Sequence, residues 1–361
     1  MIPQVKPWLG KEELKAVVEP VKNNWLTEGP KCKEFSEKLN ELMGVEYGVF
    51  APNGTLALYL GLLALGIGVG DKVIVPNSTF IASANAVILT GATPEFVDVD
   101  EGFHIDYDKC LVKGDTKAIM PVHLYGTMID MDETMRFAED MSLLVIEDAC
   151  QAIGVKFKGQ HAGTFGDIGC FSFFADKTIT TGEGGYVVCK TEAMYKKLLM
   201  LRNQGRENSG TFIHPSFGVN FRITDLQAAI GLVQLKKLDI IIQQKLKILE
   251  WYHKGLDDIK EIRFFEPNED ANFVPFRVVL MCENAHLLME HLSVSGVQSR
   301  GFFYPLHKQP CFEEYDYRDR YFPNSIYGYE HGVCLPVFPE LTLKDVNFIC
   351  EIIKGFYDKT L

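Results

Sequence analysis

The chain has 361 residues, 47% of them hydrophobic, enough to bury a sizeable core and to form two domains or one large domain with an appendage. Its formal net charge of -12 and the absence of any basic run argue against nucleic acid as a partner, because such a surface repels phosphate. The apolar stretches are too short or too interrupted by glycine to span a bilayer, and "MIPQVKPWLGKEE" at the N-terminus has no signal-peptide pattern, so we expect a globular protein of the cytoplasm with no membrane contact.

From about residue 46 to 190, short β-rich runs alternate with helical patterns. "EYGVFAP" precedes a helix from Leu56 to Leu65, and "KVIVP" precedes one from Ile81 to Leu89. "PEFVDV" and "KAIMPVHLYG" lead to a helix from Met131 to Met141, after which "LLVIEDA", "CFSFF" and "GYVVCK" read as strands. That alternation predicts a mainly parallel sheet covered by helices, with ligands at the carboxyl ends of its strands. Ile223 to Ile259 contains no proline and carries apolar residues at helical spacing behind Thr224, a candidate N-cap, which predicts one or two long helices leading out of the first domain. Beyond residue 262, "IRFFEP", "FVPFRVVLM", a helix around Ala285 to Ser293 and a final helix from Leu343 to Tyr357 predict a smaller α+β domain. The expected division is a large domain over 1–240 and a small one over 241–361. Nine cysteines, with no CxxC pair and no histidine cluster at zinc spacing, read as reduced core thiols, and no metal is expected.

Four short segments carry candidate chemistry. Lys177 follows the buried-looking run "GCFSFFAD" and precedes a turn rich in glycine, which puts an amine at a strand end in surroundings of low dielectric, where amines lose their protons more readily. Asp148 ends the hydrophobic strand "LLVIEDA", with Gln151 close behind. Such a carboxylate can cap a helix, bind a metal or face a protonated pyridine nitrogen. In "APNGTLAL", Gly54, Thr55 and Leu56 run from strand into helix and offer backbone N–H groups to an anion or to an ordinary cap. Phe80, after "KVIVP", either packs in the core or lies flat on an aromatic ligand. The order of phosphate loop, aromatic, carboxylate and lysine is more specific than any member alone.

These segments, together with "NNWLTEGP", "HLYG", "GVNFRITDLQAAIGLVQL" and "SRGFFYPLH", resemble the DegT/DnrJ/EryC1/StrS family of sugar aminotransferases over nearly the whole chain. The resemblance implies an α/β fold of the PLP-dependent transferase type I, similar to aspartate aminotransferase, and pyridoxal 5'-phosphate as cofactor. Lys177 then matches the lysine that bonds the cofactor's aldehyde carbon and moves the proton, and Asp148 the carboxylate facing the pyridinium nitrogen. Gln151 matches the contact to the ring hydroxyl, Phe80 the stacking aromatic, and Ser172 with Gly54 and Thr55 the phosphate groups. Asn220 matches a residue that reaches the phosphate of the neighbouring subunit, which implies a homodimer with shared active sites. Trp25, Glu28, Arg206, Tyr304 and His307 lie in segments that border the sugar and nucleotide in relatives.

The loop "KTITTGEGG" is similar to that of perosamine- and viosamine-type 4-aminotransferases, which implies L-glutamate as donor and a nucleotide-linked 4-keto-6-deoxysugar as acceptor. Two rivals are amination at C3 of a 3-ketosugar and a non-catalytic regulator that binds aminosugars. Dehydratase relatives have a histidine where Lys177 stands. Two departures are visible: Ala175 and Asp176 replace the "GN" common in perosamine-type enzymes, and "RGFF" from Arg300 to Phe303 replaces "RPVF".

Overall fold

A strand covered on both faces needs apolar side chains at nearly every position, and the short Val-, Ile- and Phe-rich runs meet that need. A computed structural model describes residues 1–208, 210 and 212–358. In it the runs become β1 (Tyr47–Ala51), β2 (Lys72–Pro76), β3 (Thr93–Val97), β4 (Thr116–Ile119) and β5 (Leu144–Asp148). A small hairpin of β6 (Lys156–Phe157) and β7 (Gln160–His161) precedes β8 (Ile168–Ser172) and β9 (Gly185–Cys189). Seven strands form one sheet in the order β1-β9-β8-β5-β4-β2-β3. The pairs from β8 through β3 are parallel, whereas β9 runs antiparallel to both its neighbours.

Helices α1 (Lys11–Lys22) and α2 (Pro30–Met43) precede the sheet, and α3 (Gly54–Leu65), α4 (Ala82–Leu89), α5 (Met131–Met141) and α6 (Glu192–Arg202) connect or follow its strands. The sequence "GTLALYLGLLAL" is apolar on most faces, and most of α3 is accordingly buried. The predicted stretch Ile223–Ile259 resolves into two helices, α7 (Asp225–Lys236) and α8 (Leu238–Leu256). Thr224 caps α7 in a capping box with Gln227, as its position predicts.

The C-terminal part contains β10 (Ile262–Phe264), β11 (Val278–Cys282), α9 (Ala285–Val294), β12 (Arg300–Gly301), α10 (Pro323–His331), β13 (Gly332–Leu335) and α11 (Leu343–Tyr357). Its four strands pair antiparallel in the order β10-β11-β13-β12. The expected division after residue 240 falls inside α8. That helix packs Leu238 and Ile241 into the core beside the large sheet, and Ile248, Tyr252 and Leu256 into the core of the small one. The chain's first residues also join the C-terminal part, with Ile2 bridging to Val297 and the Gln4 carbonyl accepting from the Val337 N–H.

All nine cysteines are unpaired, and Cys311 is exposed rather than in a core, because it lies in the surface 3-10 segment Pro310–Tyr315. Among the described residues no helix is long and apolar enough to cross a membrane, and no cluster of His, Cys, Asp and Glu has the makings of a metal site.

Candidate active site

The parallel strands end on one side of the sheet, and there the two parts of the chain enclose a cavity of about 610 Å³. Gly54, Thr55, Phe80, Asp148, Gln151, Ser172, Lys177 and Tyr304 all line it. A second hollow of about 550 Å³ near the β6–β7 hairpin contains none of the predicted site residues.

Asn53 caps α3 by accepting from the Leu56 N–H at 3.0 Å, so the helix begins at the cavity wall. The first N–H groups of a helix have no intrahelical acceptor and are available to an anion. A Cβ added at Gly54 would meet the Ser172 Cβ at 2.8 Å and the Cys150 Sγ at 2.9 Å, so only glycine lets the helix start lie this close to the end of β8. The Ser172 hydroxyl therefore stands beside the free amides of Gly54 and Thr55.

Asp148 leaves the end of β5 with its carboxylate fixed by two donors. The Ser83 hydroxyl donates to Oδ2 at 2.7 Å and the Cys150 N–H to Oδ1 at 3.2 Å. Thr79 continues the chain of hydroxyls, 3.1 Å from Ser83. No cationic side chain pairs with Asp148 among the described residues, which leaves its charge to a ligand. Gln151 accepts from the Tyr125 N–H through Oε1 at 3.0 Å, so its NH₂ end faces the cavity. Tyr125 has φ of 53°, a left-handed conformation rare for a bulky residue, and Gly126 behind it has no space for a Cβ, which would lie 1.8 Å from the Val274 carbonyl oxygen. The forced turn stacks the Tyr125 ring on Phe303 at 5.3 Å with 9° between planes. Phe80 is 57% exposed, which rules out core packing and puts its ring at the cavity mouth, 6.3 Å from that of Phe303. Burial pushes the Cys150 thiol well up, so this cavity residue stays protonated and is no nucleophile.

Lys177 is half-buried, with its Nζ 4.7 Å from the centre of the Phe276 ring and no carboxylate partner among the described residues. Beside it Asp176, the departure noted in the sequence, is paired to Arg277 at 2.5 Å. The donor set suits an aromatic anion: amides and a hydroxyl at one end, an uncompensated carboxylate at the other, an exposed ring and a free amine.

Four predicted residues are engaged elsewhere. Glu28 forms a two-pronged pair with Arg202, both contacts at 3.0 Å, and the Trp25 indole donates to the Glu28 carbonyl. Arg206 donates to Asn203 at 3.3 Å. His307 is buried, its ring bonded to Asn77 at 2.8 Å and to Asp319 at 3.1 Å and stacked on Phe322. None of these lines the cavity, and neither does Asn220, whose backbone bridges to Asn203. Glu147 turns away from the cavity and accepts from the Gly163, Phe165 and Gly166 amides and from His123, which is fully buried.

Sequence reasoning missed Ser83, Tyr125, Phe303 and Arg277. Ser83 had a faint signal, three positions after Phe80 and second in α4; the others come to the site only through packing of distant segments.

The description "DegT/DnrJ/EryC1/StrS aminotransferase family" matches residues 7–354 of the chain. The chain is 39% identical to the GDP-perosamine synthase of Escherichia coli O157:H7, covering 99% of this chain and 98% of that protein. It is 37% identical to the UDP-N-acetyl-3-dehydro-alpha-D-glucosamine 3-aminotransferase of Acidithiobacillus ferrooxidans, covering 90% of this chain and 88% of that one. Among solved structures, a Streptococcus pneumoniae protein described as a sugar aminotransferase, in its PLP form, superposes with a TM-score of 0.95 at 28% identity, covering 100% of this chain and 99% of that chain.

Proposed function

The chain belongs to the DegT/DnrJ/EryC1/StrS aminotransferase family, and from that premise we propose that it transfers the amino group of L-glutamate to C4 of a nucleotide-linked 4-keto-6-deoxysugar, giving a 4-amino-4,6-dideoxysugar nucleotide and 2-oxoglutarate. It is a sugar aminotransferase, and its cofactor is pyridoxal phosphate. Bound, that group supplies the aldehyde and the electron-accepting ring on which amino groups are exchanged.

The chain's own residues fit the group. The Gly54 and Thr55 amides and the Ser172 hydroxyl would hold its phosphate, Phe80 would cover its ring, and Gln151 would donate to the ring hydroxyl. Asp148, kept in place by Ser83 and the Cys150 amide, would hold a proton on the ring nitrogen. Lys177 would anchor the group and carry the proton to and from the substrate carbon. The single observation that carries the assignment is the free Lys177 amine in one cavity with an uncompensated Asp148 carboxylate. Amination at C4 is supported by the likeness to the GDP-perosamine synthase over nearly the full length of both chains. The 3-aminotransferase relative supports the second reading, amination at C3.

A homodimer in the cytoplasm completes the reading, with residues 1–240 and 241–361 as cofactor and small domains. Asn220 serves the partner's site in it, consistent with its place outside this chain's own cavity.

The test is the absorption spectrum of the purified protein with L-glutamate and then with a panel of ketosugars, headed by a GDP-linked 4-keto-6-deoxysugar and including a UDP-linked 3-ketosugar. Bleaching of the visible cofactor band by glutamate and its recovery with a 4-ketosugar is the expected result. Recovery with the 3-ketosugar alone transfers the assignment to C3, and no response to glutamate removes it as donor.

A further inference from the structure

The segment that leads into β11 is tied to the loop after β4. The Val274 N–H donates to the Gly126 carbonyl at 2.9 Å and the Phe276 N–H to the Tyr125 carbonyl at 3.0 Å, so the next residue, Arg277, stands against the same turn that orients Gln151. Arg277 is 5% exposed, and it lines the cavity with Asp176 and Lys177. Its guanidinium carbon lies 4.1 Å from the centre of the Phe276 ring, and the Lys177 Nζ lies 4.7 Å from that centre. Guanidinium and amine are therefore no farther apart than those two distances laid end to end.

A guanidinium has five N–H donors, and among the described residues two of those of Arg277 meet acceptors. Nη2 donates to Asp176 Oδ2 at 2.5 Å and Nη1 to the Phe276 carbonyl at 3.4 Å. Arginine holds a carboxylate best through two parallel bonds, as Arg202 holds Glu28. Asp176 meets Arg277 through one oxygen and one nitrogen, which leaves the fork half used.

One cavity has to receive two unlike substrates in turn. An amino acid has its α-carboxylate two bonds from the nitrogen it delivers, whereas a ketosugar ring has no charge near its keto carbon and its phosphates lie across the ring. A lone guanidinium beside Lys177 would suit the first and would stand unpaired in low dielectric under the second. A guanidinium with a counterion on the adjoining loop suits both, because the carboxylate of the donor can replace the one on the loop.

We propose that Arg277 is the binding site for the α-carboxylate of the amino donor and that Asp176 is its counterion in the donor's absence. Asp176 gives way when the donor enters and pairs again when the sugar takes its place. One ion pair is exchanged for another, and no covalent bond changes. The proposal rests on an amino acid as donor, the reading given above for L-glutamate, but its test needs no turnover.

Thermal unfolding of the cofactor-loaded protein is followed with increasing glutarate, a dicarboxylate with no amine to transfer, for wild type, Asp176→Asn, Arg277→Met and the double variant. The rise in Tm with concentration gives Kd. It should be about tenfold lower in Asp176→Asn, where no internal carboxylate competes, and at least tenfold higher in Arg277→Met and in the double variant, since a hydrogen bond to a charged group is worth about one to two factors of ten. Any response to GDP, which has phosphates but no carboxylate, should be the same in all four. Equal glutarate affinity in wild type and either single variant, or no response in any chain, overturns the proposal. Loss of a GDP response in Arg277→Met also overturns it and assigns the guanidinium to the diphosphate. Should Arg277→Met fail to fold, the double variant, which loses both charges together, carries the comparison. L-Glutamate then separates the two readings. If it does not bleach the wild-type cofactor band while the glutarate pattern holds, the carboxylate site stands and the donor's identity falls. If it bleaches Arg277→Met at the same concentrations as wild type, the carboxylate site falls and glutamate remains the donor.

Discussion

Asp176 stands where the resemblance to perosamine-type enzymes leads one to expect the asparagine of "GN", and Arg277 explains how the chain accommodates it. Their side chains are 16% and 5% exposed, and among the described residues the guanidinium otherwise meets the Phe276 carbonyl at 3.4 Å and the Phe276 ring. Removing one member of a buried pair costs about 3–5 kcal/mol because the other charge is left in low dielectric. Asp176 borders the cavity, where water moderates that penalty, so we expect Asp176→Asn to cost about 2–4 kcal/mol. At an unfolding entropy of about 2.1 cal/mol/K per residue, a chain of 361 residues should lose roughly 3–5 °C in Tm. Arg277→Met, which leaves the more exposed partner alone, should cost less. The double variant removes both charges together and should return close to wild type, since exchanging a whole buried pair for apolar groups is often neutral. Thermal unfolding of the four chains in one buffer gives the coupling energy. Additivity of the two single effects to within about 0.5 kcal/mol would show that the pair does not function as a unit and refute the account.

Three further outcomes follow from the site. Lys177→Ala should abolish the visible band of the bound cofactor and all turnover while far-UV circular dichroism stays unchanged; a variant that still transaminates would falsify its role. Ser83→Ala leaves Asp148 with one fewer donor, and kcat should fall about tenfold, against a hundredfold or more for Asp148→Asn, because a hydroxyl bond to a charged group contributes about 1.5–3 kcal/mol; equal losses in the two variants would contradict this ranking. Gly126→Ala would drive a methyl group into the Val274 carbonyl and displace Tyr125 with its stacking on Phe303, so cofactor affinity should drop by tenfold or more, measured by fluorescence titration.

The readable part of this protein was what adjacent residues determine. Strand runs, the Thr224 cap and the bounds of α5 and α11 depend on local pattern, and Gly54, Phe80, Asp148 and Lys177 converge because each ends a strand or starts a helix on the same side of a parallel sheet. What the pattern could not convey is which distant groups use up a side chain. Glu28 looks free until Arg202 reaches it from 174 positions away, and His307 looks like a ligand until Asn77 and Asp319 take both its ring nitrogens. Arg277 likewise reaches the lysine loop from the position before β11, to pair with Asp176, and no local signal marks it.

The segment between α6 and α7 presents one more feature that a single chain leaves unexplained. Phe212 is 92% exposed and Phe217 99% exposed, and Ile213 is also bare, an apolar group that a solitary protein has no reason to hold in water. Asn220, the residue matched to the partner's phosphate, lies three positions beyond Phe217. A twofold interface would cover these side chains twice over, once on each protomer, and full burial of a phenylalanine is worth about 1.5–3 kcal/mol. Phe217→Asp should therefore shift the protein from dimer to monomer at micromolar concentration, read by light scattering, and weaken cofactor binding in the same step. A variant that stays dimeric and keeps its cofactor affinity would place the interface elsewhere and separate Asn220 from the shared site.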